Sequence, residues 1–204
     1  MLTLYHDPVS THSWKVRLVL AEKGLPYEEV VFDVRHARDH KAPVYLAIHP
    51  YGKVPAIVED GFAIYDSTTI NEYLEERYPE VPLLPPAPRD RARLRMLEDF
   101  RDNHFHSDFF PLLRQLRDTP PGKRDASVVE SAKAAVFEDM ARLEAAAEGR
   151  EYLCGGFSIA DAAFIPNFAY LEQWHIAIPE SYPRLHAWWK RCKARPSYTA
   201  AYGL

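Results

Sequence analysis

The stretch DPVSTHSWKVR, residues 7–17, contains a run of side chains that could do chemistry. Ser10, Thr11 and Ser13 carry hydroxyls, and His12 could act as a base beside them. A serine nucleophile needs a histidine within reach and an acid that orients the histidine. Side chains two positions apart on a turn rarely point together and no orienting acid is evident, so a hydrolase triad is not favoured. The same hydroxyls are good helix N-caps, which leaves two roles open: hydrogen-bond donor or cap.

A second feature is the dipeptide Val54-Pro55, in the loop HPYGKVP immediately before the apolar segment AIVE. A proline that enters a strand is tolerated at a sheet edge or in a cis turn. A cis bond would turn the preceding amide and carbonyl toward a neighbouring ligand, and an ordinary turn proline is the alternative.

The elements that position these residues alternate between extended and helical patterns. Strands are predicted at LTLY, YEEVVF, AIVE and FAIY, and Asp60-Gly61 joins the last two as a hairpin. Helices are predicted over 13–23, closed by Gly24, and over about 67–77, with a short turn at PVYLAI between them. The order β-α-β-(α)-β-β-α predicts a thioredoxin-like α/β domain with a mixed sheet.

Five prolines within residues 79–88 exclude a helix or a central strand there. We interpret this segment as a linker. Beyond it apolar residues recur at helical spacing, and Ser158 with Asp161 forms a capping-box pattern at the start of one helix. The predicted domains are therefore residues 1–78, a linker at 79–88, and an all-α domain at 89–204.

Composition excludes several functional classes. The chain has 204 residues, 47% of them hydrophobic, and a net charge of -4, which predicts a globular protein without the basic excess that favours nucleic acid or anionic lipid. It shows no signal-peptide pattern and no apolar run of about 18 residues, so we expect a cytoplasmic protein with no membrane partner. Cys154 and Cys192 lack metal-ligand spacing, and His104 and His106 point to different sides of a helix, so no metal is expected.

Four motifs occur in one order and spacing along the chain. They are Ser10-x-x-x-Trp14-Lys15-Val16-Arg17-Leu18, Gly52-Lys53-Val54-Pro55, Asp66-Ser67, and Ser158-x-x-Asp161 after Gly155-Gly156. Singly each motif is weak, but together, with a proline-rich linker between an α/β and an all-α half, they are specific. Over essentially its whole length the chain resembles the cytosolic glutathione transferases, in particular the theta-like and zeta-like members that use a serine.

The resemblance implies a site for glutathione, as co-substrate, in the first domain. The γ-glutamyl end carries a carboxylate, which the Ser67 hydroxyl and helix-start amides would face, and an ammonium, which Asp66 would receive. The cysteinyl backbone is extended and would pair with the amide and carbonyl of Val54, as an added strand does.

The glycyl carboxylate of glutathione needs cations. Lys53 is well placed for it, and His40 and Lys41 match positions that contact this end in theta-like members. A solvated loop is the alternative for His40 and Lys41.

Ser10 matches the serine whose hydroxyl, in theta-like and zeta-like members, donates a hydrogen bond to the glutathione sulfur. It is the predicted catalytic residue, and the rival donors are Thr11, Ser13 and Tyr5. With Ser10 as the donor, Thr11 or Ser13 is expected to cap the first helix. Arg17 falls within the apolar side of that helix, so its cation needs a partner or the site itself.

The electrophile is expected against the first long helix of the all-α half, where residues 101–113 interleave polar and aromatic side chains. Such a mixture suits an acceptor pocket, for which Asn103, His106 and Phe110 are the predicted residues. The alternative is that the phenylalanines belong to the core and the histidines face solvent. Three further aromatic residues could close the pocket: Trp174, Tyr198 and Tyr202.

The implied activity is conjugation of glutathione to a small hydrophobic electrophile by a homodimer. Zeta-like isomerases carry a second serine and a cysteine where this chain has Thr11 and His12, so maleylacetoacetate isomerase activity is not expected. Ser10 stands where other classes use a cysteine, which excludes mixed-disulfide chemistry at that position. A non-catalytic transferase-like binding module, or a glutathione-dependent peroxidase or dehalogenase, is the alternative function.

Overall fold

The computed structural model describes residues 1–202, which form two compact units. The first unit is Met1–Leu83 together with the residues from Ala194 onward, and the second is Leu84–Lys193. The last helix of the chain therefore belongs to the first unit, whereas the sequence placed residues 89–204 together.

The first unit is built on a four-stranded mixed sheet of order β2-β1-β3-β4. β1 is parallel to β2 and antiparallel to β3, which pairs with β4 as a hairpin. Asp60 and Gly61 both have positive φ, 50° and 84°, as a type I′ turn requires. The predicted thioredoxin-like order of elements and the mixed sheet are confirmed. The strands are β1 Leu2–His6, β2 Glu28–Val31, β3 Ala56–Glu59 and β4 Phe62–Tyr65.

The first unit contains both of the helices that the sequence predicted, over 13–23 and about 67–77. Gly24, with φ of 63°, ends the first of them in the left-handed conformation that favours glycine. That helix starts at Thr11 because Ser10 is its N-cap, so the prediction that Thr11 or Ser13 caps it is wrong. The helices are α1 Thr11–Lys23, the short α2 Pro43–Leu46, α3 Ser67–Arg77, and the last helix of the chain, α9 Pro196–Ala201.

The second unit is all-α and packs around a helix that is buried on every side, Ile159–Gln173. The predicted capping box is present at its start, where Asp161 accepts hydrogen bonds from the Ser158 amide and hydroxyl at 2.9 and 2.7 Å. π-helical turns at Arg101–Phe105 and Arg114–Asp118 flank the second helix. The helices are α4 Pro88–Phe100, α5 His106–Leu113, α6 Ala126–Ala146, α7 Ile159–Gln173 and α8 Pro183–Lys193.

No helix within residues 1–202 is long and apolar enough to span a bilayer. In the same part of the chain, no three His, Cys, Asp or Glu side chains gather as metal ligands. Within the described residues Cys154 and Cys192 form no disulfide, and burial raises the pKa of Cys154 to about 12. A thiol with so high a pKa is a poor nucleophile at neutral pH.

Candidate functional site

A cavity of about 290 Å³ lies in the first unit, where the start of α1, the loop before β3 and the start of α3 meet. Four predicted glutathione-binding residues line it together: Lys53, Val54, Asp66 and Ser67. Its other lining residues are His12, His49, Tyr51, Pro55 and Tyr65.

Asp66 is the N-cap of α3 and has a positive φ of 75°. Its carboxylate accepts hydrogen bonds from the amides of Thr68 and Thr69 at 3.1 and 3.0 Å. Both bonds end on Oδ1, so Oδ2 can accept a further donor. A non-glycine residue at positive φ is strained, and such strain concentrates at ligand sites.

Ser67 is the first residue of α3 and is 3% exposed. Its hydroxyl lies 3.4 Å from Nδ1 of His12. The positive end of the helix dipole and the amides of the first turn make this corner favourable for an anion.

Lys15 adds a cation to the same corner. It is fully buried on α1, and its Nζ donates to the hydroxyl of Thr68, next to Ser67. The sequence places Lys15 shortly after Ser10, Thr11 and Ser13. Its burial against α3 depends on tertiary packing, which the spacing of residues along one helix does not predict.

The loop that contains Val54 is held by three contacts. Tyr45 donates its hydroxyl to the carbonyl of Lys53 at 2.6 Å, and Lys41 Nζ donates to the carbonyls of Tyr51 and Gly52 at 2.9 and 2.7 Å. Gly52 has a φ of 53°, and a Cβ there would lie 2.8 Å from the His40 carbonyl oxygen, so only glycine fits.

Val54 presents free backbone groups at the cavity. The Val54-Pro55 bond is cis. Within residues 1–202 the amide and carbonyl of Val54 have no hydrogen-bond partner, although neighbouring segments are paired. An extended peptide can satisfy both groups by strand addition.

The three residues predicted at the glycyl end are not equivalent. Lys53 is exposed and lines the cavity, whereas His40 and Lys41 are not among its lining residues. Lys41 is anchored to loop carbonyls, and burial and the Lys41 charge lower the pKa of His40, which is 7% exposed.

Ser10 is partly exposed, whereas Thr11 and Ser13 are buried. The Ser10 oxygen accepts a hydrogen bond from the Ser13 amide at 3.3 Å, a contact that uses a lone pair and leaves the hydroxyl proton available. Tyr5, the remaining rival, packs against Tyr45 with ring centroids 5.7 Å apart.

The loop that carries Ser10 is fixed from both sides. Arg17 donates to the Pro8 carbonyl at 3.0 Å, which is the partner that its place on the apolar side of α1 required. Asp7 is 3% exposed and accepts from the amides of Val9 and Val34 at 3.0 and 3.2 Å.

The predicted acceptor residues lie on the second unit. His106 and Phe110 are neighbours on α5, with ring centroids 5.9 Å apart, and Phe110 is 45% exposed. Burial, with the charge of Arg101, lowers the pKa of His106 to about 4. Asn103, on the π-helical turn before α5, is exposed and donates to Asp99 at 2.7 Å.

The other aromatic residues considered for the acceptor pocket pack against neighbouring aromatic rings. Phe105 and Phe109 are fully buried, and Trp174 stacks on Phe109 with ring centroids 5.6 Å apart. Tyr198 and Tyr202 pack against Trp14 within the first unit, at centroid distances of 6.4 and 5.1 Å.

Three aromatic rings of the cavity wall were not predicted from the sequence. The rings of His49 and Tyr65 lie 4.7 Å apart, and Tyr51 meets both at about 6.1 Å. Their positions could have indicated them, since His49 and Tyr51 flank the proline of HPYG and Tyr65 directly precedes Asp66.

A thioredoxin-like unit with a polar cavity at a helix start, together with an all-helical unit, defines a two-domain transferase architecture. Two family models match the chain: the glutathione S-transferase N-terminal domain over residues 4–82 and the C-terminal domain over residues 100–196. The chain belongs to the glutathione S-transferase family and is a transferase.

Relatives match over nearly full length. Glutathione S-transferase 3 of Zea mays is 34% identical over 203 residues, covering 97% of this chain and 91% of the relative. Maleylacetoacetate isomerase of Pseudomonas aeruginosa is 31% identical over 208 residues, covering 98% and 95%. The theta class glutathione S-transferase of Xanthomonas axonopodis pv. citri, solved with glutathione bound, superposes with a TM-score of 0.89 at 27% identity, covering 100% and 97%.

Proposed function

We propose that this transferase binds glutathione in the cavity of its first unit and conjugates the thiol to a small hydrophobic electrophile. The observation that carries the proposal is the meeting of Asp66, Ser67, Val54 and Lys53 around one cavity. The theta class neighbour with glutathione bound supports the choice of ligand.

The γ-glutamyl end of glutathione suits the start of α3. Its carboxylate faces the Ser67 hydroxyl and the helix-start amides, with the buried Lys15 cation one residue away. Its ammonium pairs with Oδ2 of Asp66, the oxygen that the cap bonds leave available.

The rest of the tripeptide follows the loop before β3. The cysteinyl backbone pairs with the free amide and carbonyl of Val54, and the glycyl carboxylate meets the exposed Lys53. Lys41 supports this end indirectly, because its ammonium group donates to the carbonyl of Gly52. His40 lies beside the same residue, Gly52.

The Ser10 hydroxyl donates a hydrogen bond to the thiolate, while its oxygen accepts the bond from the Ser13 amide that caps α1. Lowering a thiol pKa from about 8.5 to about 6.5 raises the thiolate fraction at pH 7 from about 3% to about 75%. A Brønsted coefficient of about 0.45 then costs about 8-fold in reactivity, so the net gain is only about threefold. Most of the acceleration must therefore come from holding the electrophile against the sulfur.

The electrophile is received by the second unit through Phe110, His106 and Asn103. The exposed ring of Phe110 offers apolar surface, and His106, with a pKa of about 4, is neutral at physiological pH and does not repel an apolar substrate. The expected electrophile is therefore a small hydrophobic molecule.

Replacing Ser10 tests the mechanism. Ser10→Gly removes the hydroxyl but costs a helix cap only a few tenths of a kcal/mol, whereas Ser10→Ala also loses the cap, worth about 1 kcal/mol. We expect both variants to lose about 10-fold to 100-fold in kcat/KM with 1-chloro-2,4-dinitrobenzene, because a hydrogen bond to a charged group is worth about 1.5–3 kcal/mol.

Two further measurements and a control variant make that test decisive. Thermal unfolding should separate the two variants while activity does not, and ultraviolet titration of bound glutathione should show its thiol pKa rising in both. Thr11→Val is the matched control, since it removes the neighbouring buried hydroxyl. Wild-type rates in Ser10→Gly would remove Ser10 from the donor role.

A non-catalytic binding module is the competing function. It predicts no conjugation and no glutathione binding at millimolar concentration by calorimetry, whereas the proposed enzyme binds and turns over. Isomerisation of maleylacetoacetate, the activity named for the Pseudomonas relative, is expected to be absent because Thr11 and His12 replace the serine and cysteine of the zeta-like motif. Conversion of maleylacetoacetate by the purified chain would contradict that expectation.

We further infer a cytoplasmic homodimer with a detoxifying role, as the family resemblance implies. Light scattering on the purified protein measures the assembly, and a mass of about 23.5 kDa, that of one chain, would contradict it.

A further inference from the structure

The function proposed for this chain assigns no role to His12, although His12 lines the cavity of the first unit. It is the second residue of α1, and Lys15 lies three positions further along the same helix. His12 meets the hydroxyl of Ser67, and Lys15 meets the hydroxyl of the next residue, Thr68. Because residues three apart share one face of a helix, this face of α1 is aligned with the first two residues of α3.

The contact between His12 and Ser67 places a ring nitrogen beside a buried hydroxyl. Nδ1 of His12 lies 3.4 Å from Oγ of Ser67, a residue that is 3% exposed. Nδ1 carries a proton in the charged ring and in one of the two neutral tautomers, and it is an acceptor in the other neutral tautomer. The hydrogen bond can therefore run from the ring to the hydroxyl or from the hydroxyl to the ring.

The direction of this bond decides what the Ser67 hydroxyl can offer to a ligand. The hydroxyl has a single proton. If Nδ1 accepts that proton, an incoming carboxylate meets only the lone pairs of Oγ, which repel it. If Nδ1 donates, the proton is left for the carboxylate, and the two hydrogen bonds in series polarise and strengthen each other. While the ring keeps this contact, a bond from Ser67 to a carboxylate therefore requires a proton on Nδ1 of His12.

We infer that His12 is a positioning residue for the γ-glutamyl carboxylate of glutathione: its Nδ1–H donates to the Ser67 hydroxyl and turns the hydroxyl proton toward the carboxylate. The inference rests on the proposed function, since it needs the γ-glutamyl end at the start of α3. It separates recognition of the carboxylate from the roles of Asp66, which faces the ammonium, and of Ser10, which faces the sulfur. His12 thereby favours peptides whose first residue carries this carboxylate.

Calorimetry of glutathione binding tests the inference. Asparagine places an amide nitrogen near the position of Nδ1 and can donate to Ser67, whereas leucine cannot. We expect the Kd of His12→Asn to stay within about twofold of wild type and that of His12→Leu to rise about fivefold, the effect of one ordinary hydrogen bond. In a Ser67→Ala background His12→Leu should change the Kd by less than about 1.5-fold, because the hydroxyl through which it acts is gone. His36→Leu, at an exposed histidine that does not line the cavity, should bind as wild type does.

Two glutathione analogues separate the carboxylate from the ammonium. 4-Aminobutyryl-cysteinylglycine lacks the γ-glutamyl carboxylate, and glutaryl-cysteinylglycine lacks the ammonium. In competition with glutathione, wild type and His12→Leu should bind the first analogue equally well and differ about fivefold for the second. An equal effect of His12→Leu on both analogues would overturn the assignment of His12 to the carboxylate.

Nitrogen-15 NMR of the histidine rings reports the position of the proton itself. The His12 signals are those missing from His12→Asn, and with glutathione bound Nδ1 should have the chemical shift of a protonated nitrogen. An unprotonated Nδ1 in the complex, or independent effects of His12→Leu and Ser67→Ala on the Kd, would overturn the inference and leave the proposed function standing. A wild-type protein that does not bind glutathione at millimolar concentration would instead remove the proposed function, and the inference with it.

Discussion

Single residues at the candidate site hold two roles at once. Ser10 caps α1 with a lone pair of its hydroxyl and keeps a proton to donate. Asp66 caps α3 through Oδ1 and keeps Oδ2 for a cation. Because one side chain serves both the fold and the ligand, a substitution must be chosen to remove only one of the roles.

Asp66→Asn separates the two roles at that position. Asparagine is as good an N-cap as aspartate and tolerates positive φ, so stability should be unchanged, but the negative charge that faces the glutathione ammonium is lost. We expect the glutathione Kd, measured by calorimetry, to rise about 10-fold or more. Asp66→Ala should weaken binding similarly and also lower the Tm. Wild-type affinity in the asparagine variant would contradict the assignment of the ammonium to Asp66.

The lowered pKa of His106 predicts that the stability of the folded protein depends on pH. Its folded pKa is about 4, whereas the unfolded chain binds this proton below about pH 6.5. The free energy of unfolding is therefore highest above about pH 6.5, where His106 is neutral in both the folded and the unfolded chain. It falls by up to about 3 kcal/mol as the pH drops toward 4, because only the unfolded chain gains this proton. The lowered pKa values of His6, His40 and His49 act in the same direction.

His106→Asn should flatten this dependence. Urea unfolding of the variant between pH 7 and pH 4.5 should show a smaller loss of stability than the wild type. His36→Asn, at an exposed loop position, is the matched control and should follow the wild-type curve. Parallel curves for His106→Asn and wild type would contradict the burial argument.

At the scale of elements, the sequence predicted most of the first unit because its signals are local. The bounds of α3 at Ser67–Arg77 and the turn at Asp60-Gly61 agree with the structure, since a cap, a periodic stretch and a turn dipeptide lie within a few residues of one another. The loop Gly52-Lys53-Val54-Pro55 was also predicted, because glycine and proline restrict the backbone wherever they stand.

The remainder depends on contacts that spacing does not encode. The choice of Ser10 over Thr11 and Ser13 as cap is a choice among equivalent hydroxyls, and it follows from a loop that Arg17 and Asp7 hold. The π-helical turns around α5 and the six-residue α9 were missed, because a short helix carries too few apolar repeats to be seen.

A buried ion pair fixes the segment that leaves α3. Lys23 Nζ pairs with Glu75 at 2.7 Å and donates to the carbonyls of Tyr78 and Val81 at 2.9 and 2.8 Å, while Glu75 accepts from the Leu83 amide at 3.0 Å. One pair thus holds the C-terminal end of α1 to the start of the proline-rich segment.

Lys23→Met should destabilise the protein by about 3–5 kcal/mol, because it leaves the Glu75 carboxylate buried without its cation. The double variant Lys23→Met/Glu75→Gln should recover part of the loss in urea unfolding, since no charge is then left buried. Equal losses in the single and double variants would contradict a role for the pair. Lys133→Met, at a half-buried lysine paired with the exposed Glu130, should cost less than about 1 kcal/mol.

At the scale of the whole molecule, the first unit is completed by the end of the chain. α9 packs against α1 after the chain has passed through the second unit. Trp14 is fully buried, and Tyr198 and Tyr202 cover it. The helix that presents Ser10 is therefore stabilised by residues about 190 positions further along the chain.

Arg195→Met tests this dependence. Arg195 pairs with both oxygens of Glu22 at 2.6 and 2.7 Å, and Ser197 donates to the same carboxylate, whose side chain is 8% exposed. Removing the guanidinium should cost about 2 kcal/mol in urea unfolding, because Glu22 loses its partner while partly desolvated. Trp14 emission should shift to the red at lower urea than in wild type. The double variant Glu22→Gln/Arg195→Met should recover part of the loss, whereas Lys123→Met, an exposed lysine of the second unit, should have no effect. A wild-type unfolding curve for Arg195→Met would show that the first unit does not depend on the end of the chain.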